Sequence, residues 1–567
     1  LDIEEEHTVA PDQDPDVTRA EAGAGTPAYE AFYDAFRTWP PAEQRWFWSS
    51  AGDASEPVLP LVASVRAWSR YGMAHAYRLF QSPVAALHVR RVHGHLFSAS
   101  EVLELSEAEA QSRAARGAAV LERYQDSLSE RWEREWLPEI QERLSEWLAM
   151  DPLTATPEQL ARMWARADES GRRLWAIHFE IVLPAHRALG QLDELVRAHF
   201  GDDPVISARA LTAGESSWTT KTAAALDEVV AAARDSVAVQ VALSAPDPVS
   251  ALGRDPATAP FRTKLSEFLA EYGKKLQGTV LDPSWIEDPT PVLTMVRAAL
   301  SGLPQLDRGQ IVAERDDVER MARAGLREAP AAVVAAFDRA LTNARAGARI
   351  LENHNFWLDQ QIPYHARRLA LASGQRLAQL GCLEDPDDIW FLDTAVLAAM
   401  GDGSGLAQVV ARERDDWSKF QQVKPPGHLG GPEPVLADHP LTRRSPPGEP
   451  VPVEAAVVVG QPGSRGTVVG TVRVVRDLAD APNLLPGEVL VTVSTSPSWV
   501  PWYRLAAAVV TDAGGALAHA AIVAREFGIP AVVGARDATR RLSTGMRVEV
   551  DGTHGRVRIL EAGVDPD

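Results

Sequence analysis

The sequence predicts a multidomain protein in which a large all-α body precedes a small α/β domain. Three observations carry this. Apolar residues recur at three- and four-residue spacing over residues 31–423, a proline-rich segment interrupts the chain at 424–452, and short valine-rich runs alternate with helical pieces over 453–567. The first spacing lines one face of an α-helix, whereas Val-rich runs of four to eight residues bounded by turn residues read as strands.

Residues 1–30 hold nine acidic residues and one arginine among Pro, Gly and Ala, a composition that reads as a disordered acidic tail. The body follows with AYEAFYDAFRTW, SEAEAQSRAARGAAVLERYQDSLSERWEREWLPEIQERLSEWL and PAAVVAAFDRALTNARAGARILENHNFWLDQQIPYHARRLALASGQRL, all helical in period. Breaks fall at DPLTATPEQ, where Thr156-Pro157 opens the next helix, and at SAPDPVSALGRDP. Strand signals are nearly absent. The segment 424–452 has nine prolines and little periodicity, the mark of a semi-extended linker. Beyond it, SRGTVVGTVRVVRD, EVLVTV, LAAAVVTD, PAVVG and MRVEVDGTHGRVRIL read as strands. SPSWVPWYRLA and AHAAIVAREFG, the latter closed by Gly528, read as helices.

Composition narrows the function classes. The 567 residues are 45% hydrophobic and 24% charged, as in ordinary globular proteins. No run of 18 apolar residues exists, and the acidic start LDIEEEHTVAPDQDPDV lacks the basic region of a signal peptide. Leu1 as first residue suggests numbering that begins inside a longer gene product. The net charge of -21, with no basic block, argues against nucleic-acid and membrane partners. The single cysteine, Cys382, suits a reducing cytoplasm.

One histidine stands out. In GGALAHAAIVAREFG, His519 opens a helix just after Gly514 and Gly515. Glycines permit close approach of the backbone, and a helix N-terminus directs free N–H groups and a positive dipole end at an anion. The flanking alanines leave room for a bulky group, and neutral imidazole is a capable nucleophile near pH 7. The alternatives are a histidine that merely hydrogen-bonds a loop and a carrier that accepts phosphate.

The longer stretch VVTDAGGALAHAAIVAREFGIPAVVGARDAT, followed by GMRVEVDGTHGRVRIL, closely resembles the swivelling phosphohistidine domain of the phosphoenolpyruvate-utilising enzymes, among them phosphoenolpyruvate synthase, pyruvate phosphate dikinase and rifampicin phosphotransferase. The resemblance implies that His519 is the phosphorylated residue, with Arg525 a nearby basic group and Gly514 and Gly515 flanking the phosphate. Regulated dikinases carry a phosphorylatable threonine where this chain has Leu517, so that regulation is not expected.

The body resembles the acceptor domain of rifampicin phosphotransferase and of phenylphosphate synthase over roughly residues 50 to 560. FLAEYGKKL, PSWIEDPTPVL, GCLEDPDDIWFL and TSPSWVPWYRLAAAVVTDAGG carry that similarity. No Gly-x-x-x-x-Gly-Lys-Ser/Thr loop and no strand–helix alternation of a barrel appear, so neither a nucleotide domain nor a pyruvate barrel is expected. The resemblance then implies a split enzyme. ATP and Mg2+ would sit on a separate, ATP-grasp-like subunit, and no cofactor would bind tightly here. His519 would receive the phosphoryl group and pass it to a phenol or alkylphenol. The alternatives are a larger natural-product or antibiotic hydroxyl, or a non-catalytic scaffold of the same fold.

For the acceptor site, ENHNFWLDQQIPYHARR is polar-dense inside a helical body. Glu352, Asn355 and Asp359 fall at three- and four-residue spacing, hence on one helix face, with His354 beside them. Rifampicin enzymes carry an arginine and a lysine where this chain has Glu352 and Phe356. A phenol has a pKa near 10 and needs a proton acceptor, for which Glu352 or His354 is the candidate; the other reading is a buried polar network. Lys274 and Lys275 offer positive charge to the phosphoryl group, or form a solvated helix end. His178 reads as a core histidine or a substrate contact. Trp218 and Thr219, in GESSWTTKT, contact substrate or belong to a helix cap. No Cys/His cluster has metal-ligand spacing, so no metal site is expected on this chain.

Overall fold

The computed structural model describes residues 27–50, 57–201, 205–215, 217–300, 308–434, 457–476, 480–481, 484–495, 499–503, 505–515 and 519–561. Residues 1–26 of the expected tail, and 435–452 of the expected linker, lie outside them. The remaining four tail residues do not extend the tail: Pro27–Arg37 is a helix that buries Tyr29 and Phe32. The chain divides into two compact units, one of residues 1–118, 150–176 and 368–443, the other of 119–149, 177–367 and 444–567. No described helix is long and apolar enough to cross a membrane.

The first unit corrects the expectation of an all-α body. It contains a four-stranded antiparallel sheet in the order β2-β3-β1-β4, with β1 Phe47–Ser50, β2 Val84–Val92, β3 His95–Val102 and β4 His428–Gly430. The β2–β3 hairpin turns through His93 and Gly94, both at positive φ (47° and 83°), the geometry whose twist matches paired strands. Strand β4 also takes the start of the expected linker into this sheet. The core beneath is aromatic: Phe32, Trp48, Phe97 and Phe420 are buried together. Helix α1 (Pro60–Leu79) approaches helix α2 (Pro157–Phe200) closely at Gly72, where a methyl would overlap the Trp175 backbone. The Trp68 indole N–H donates to Asp168 Oδ1 at 2.8 Å, which satisfies a fully buried ring.

In the second unit, helices α3 (Trp218–Arg234), α4 (Ala259–Tyr272) and Thr290–Leu300 enclose a core of Val229, Val230, Phe261, Phe268, Trp285 and Val292, with Phe356 at its margin. Helix α5 (Ala331–His354) runs through a wide π-type turn, Asn355–Gln360, into α6 (Gln361–Gln379).

The small α/β domain belongs to this unit and has one eight-stranded sheet in the order β5-β12-β11-β7-β8-β9-β10-β6. Its strands are β5 Val457–Val459, β6 Gln461–Ser464, β7 Thr467–Val474, β8 Val489–Thr492, β9 Ala508–Thr511, β10 Ala531–Val533, β11 Arg547–Asp551 and β12 Arg556–Glu561. Strands β7 to β10 are mutually parallel, and β8, β9 and β10 are buried on both faces, as their unbroken valine runs require. Only Gly460 separates β5 from β6, yet they lie at opposite ends of the order. One bent strand therefore pairs with β12 and then with β10, and the sheet closes on itself. The domain meets the helices of its unit through Arg209 Nη1 to Pro462 O (2.7 Å) and Arg465 Nη2 to Val205 O (2.6 Å). Ala298 also packs among Trp499, Trp502 and Tyr503.

Candidate active site

Strand β9 leads into the loop that precedes His519. The loop is fixed before it reaches the glycines. Asp512 N–H donates to Thr492 O (3.1 Å) and Ala513 N–H to Val493 O (2.8 Å), while the buried Thr511 hydroxyl donates to Ala513 O (2.7 Å). The Asp512 carboxylate accepts from the Thr539 N–H (2.9 Å) and from the Thr539 hydroxyl. Gly514 then adopts φ +106°, which a side chain would oppose, and is exposed; Gly515 lies beside the Gln461 side chain. Helix α7 (His519–Glu526) begins at His519, whose side chain lies outside the described residues, as do residues 516–518. Arg525 is half-buried in its last turn. Ala520, Ala521, Val523 and Ala524 are buried, so the small residues after the histidine seat α7 tightly on the sheet.

The second cluster of polar groups gathers around the wide turn after α5. The π-type turn that starts at Asn355 shifts the register expected for Glu352, Asn355 and Asp359 on a regular α-helix. Two groupings result. Asp359 Oδ1 lies 2.9 Å from His178 Nδ1, and Asp359 Oδ2 lies 3.7 Å from His354 Nε2; the two imidazole centroids are 4.9 Å apart. The donor atoms of His178, His354 and Asp359 all lie within 4.8 Å of one another, an arrangement able to hold a metal ion. Residue spacing shows no such cluster, because His178 comes from α2, far along the chain from the other two. Burial holds the His354 imidazole down to about 4, against the opposing pull of Asp359, so it is neutral at pH 7.

Glu352, 3% exposed, belongs to the other grouping. It is the charge nearest in effect to Lys275, an ammonium group 5% exposed whose Nζ lies 4.9 Å from the Trp285 ring centroid. Burial lowers the Lys275 pKa to about 7, and Glu352 opposes that shift. A solvated helix end is thus excluded for Lys275, which sits in a loop closed by the Leu276–Ser284 bridge and by Trp285 N–H to Lys275 O (3.0 Å). Lys274 beside it is half-buried, as is Asn355.

Trp218 opens α3. Its ring stacks on Phe356 (4.0 Å, 3°) and meets Trp357 edge-on (5.6 Å), with Lys221 over its face. The Trp218 N–H donates to Asn353 Oδ1 (3.0 Å), a residue of the polar stretch that the sequence reading passed over. Ser217 and Thr220 form a reciprocal capping box, so this threonine is a helix cap; the Thr219 side chain lies outside the described residues. In the first unit, a cavity of about 590 Å³ lies between Trp39, Trp48, Arg70, Arg90 and His88; none of the residues expected to carry function lines it.

Residues 484–555 match the family described as PEP-utilising enzyme, mobile domain, and residues 178–352 match the rifampicin phosphotransferase fourth domain. The chain is 34% identical over 464 residues to chondramide synthase of Chondromyces crocatus, across 76% of this chain and 12% of that protein. It is 27% identical over 428 residues to rifampicin phosphotransferase of Streptomyces sviceus, covering 73% of this chain and 48% of that protein. It is 43% identical over 155 residues to phosphoenolpyruvate synthase of Aeropyrum pernix, covering 26% and 19%. The chain thus spans half or less of the length of each of these relatives.

Proposed function

We propose that this chain, which is of the rifampicin phosphotransferase and PEP-utilising type, is the phosphocarrier and acceptor-binding portion of an ATP-dependent phosphotransferase. The observation that carries the reading is the start of α7 at His519, directly after a loop pinned by Asp512 and opened by Gly514, within the matched mobile domain. A His519 ring nitrogen attacks a phosphoryl group of ATP that is bound with Mg2+ outside these residues, on a separate ATP-grasp-like subunit. With one water consumed, AMP and phosphate leave. The acceptor oxygen then attacks phosphorus, the P–N bond breaks with its electron pair returning to the imidazole, and the hydroxyl proton passes to Glu352. Lys275, buried and influenced by that carboxylate, supplies positive charge to the moving phosphoryl group in its protonated form, which a pKa of about 7 leaves half populated at neutral pH.

The acceptor is an alcohol or phenol of a natural product. A relative is named for rifampicin and another for chondramide synthesis, and these names favour a large acceptor over the simple phenol that the sequence suggested. Trp218 and Phe356 stack on each other, so that pair packs core and leaves no slot for a small ring between them.

The test is intact-mass analysis of the chain after incubation with ATP, Mg2+ and an ATP-binding subunit. An acid-labile adduct of one phosphate should form on the wild type and be absent from His519→Ala. An adduct that persists in His519→Ala would overturn the reading.

A further inference from the structure

We propose that His178, His354 and Asp359 form a binding site for one divalent first-row transition-metal ion. Three elements supply the donors: His178 comes from the middle of α2, His354 ends α5, and Asp359 lies in the wide turn that follows. In a regular helix of 3.6 residues per turn, a residue five places on points well away from its predecessor. The extra residue of the π-type turn brings Asp359 back toward His354, and such turns recur at functional sites.

The distances suit an ion better than a hydrogen-bond relay. His178 and Asp359, at 2.9 Å, form an ordinary pair. His354 does not complete a relay: its nearest Asp359 oxygen, at 3.7 Å, is beyond hydrogen-bonding reach. His354 is 3% exposed, and backbone groups of Ile350 and Leu351 in its own helix bear on its ring. Metal–nitrogen and metal–oxygen bonds run about 2.0–2.2 Å, so donors sharing one ion stand about 3–4 Å apart. The observed separations bracket that range, and small side-chain rotations close the set.

Two imidazoles and one carboxylate favour Zn2+, Fe2+, Mn2+ or Co2+ over Mg2+ and Ca2+, which prefer all-oxygen sets. Three protein donors leave coordination positions open, and the His178 and Asp359 side chains, 13% and 21% exposed, place the open side toward solvent. If the phosphotransfer reading holds, the ion's place is on the acceptor oxygen; binding of the ion itself does not depend on that reading.

The experiment uses the full chain, stripped with EDTA and titrated with Co2+. Visible d–d absorption saturating at one equivalent, with displacement by Zn2+, is the expected result. Asp359→Asn keeps size and shape and should weaken Co2+ binding by about 100-fold while circular dichroism stays unchanged; His354→Gln should do the same. No stoichiometric Co2+ uptake by the wild type, or equal uptake by folded Asp359→Asn, would overturn the site. The His519→Ala chain must bind Co2+ as the wild type does, so loss of phosphotransfer in that variant bears on the function alone.

Discussion

Gly534, at the end of β10, sits against the carbonyl oxygen of Gly514: a Cβ at 534 would lie 2.5 Å from that oxygen, and Gly534 itself holds φ +65°. The glycine that ends the IPAVVG run thus sets the position of the glycine in the loop before α7. Two features far apart in the motif answer one steric demand.

Gly534→Ala should therefore push the Gly514 backbone away and misplace the loop before α7. The expected result is roughly tenfold slower phosphorylation of His519, with about 1–3 kcal/mol lost in stability, as for overpacking with a strained φ. Rapid-quench labelling with a thermal melt measures both. An unchanged labelling rate would mean that the contact has no bearing on the carrier.

Lys275 gives a pH signature. Its folded pKa, about 7, lies below the ordinary 10.5, so the unfolded chain holds a proton over that window that the folded chain has released. Stability contributed by this group therefore rises with pH from about 7 to 10.5 and is lowest at and below 7. The double variant Lys275→Met/Glu352→Gln, which leaves neither charge alone in the interior, should lack that rise. At pH 7 it should unfold a few kcal/mol less readily than its difference from wild type at pH 10 would suggest. Urea unfolding at several pH values reads the slope, and equal slopes in both proteins would refute a buried, proton-shedding lysine. The same double variant should transfer phosphate from His519 to an acceptor at least tenfold more slowly, an effect visible in single-turnover assays.

Gly72→Ala tests the packing of the first unit. A methyl there overlaps the Trp175 backbone, and neither helix can yield without disturbing Trp68 and its bond to Asp168. The expected loss is about 1–3 kcal/mol, read from denaturant midpoints at constant slope. A neutral substitution would place the two helices farther apart than described.

The site was legible in the sequence where it is local. His519, its glycines and the helix that follows lie in one continuous stretch, and the valine runs announce strands. The hairpin of β2 and β3 was hidden for a physical reason: β2 is half-buried along most of both faces, so VAALHVRRV shows no alternation of polar and apolar residues. Strands β5 and β6 are short and carry Pro462 and Gly463, which read as turn residues out of context. His178, His354 and Asp359 were each singled out, but separately. Their convergence depends on a helix pairing and a π-type turn, neither of which leaves a mark in residue spacing.

If the small domain leaves its dock, as the phosphocarrier proposal requires, the bent strand through Gly460 matters most. A sheet with two open ends offers unsatisfied N–H and C=O groups to any passing chain, the usual seed of aggregation and of strand exchange between molecules. Here β5 and β6 are halves of one strand that joins both ends, so undocking frees Arg209, Arg465 and the surface around Ala298 to water without baring a sheet edge. With both ends joined, the adhesive groups of this sheet are spent within it, and none is left over to recruit a second chain.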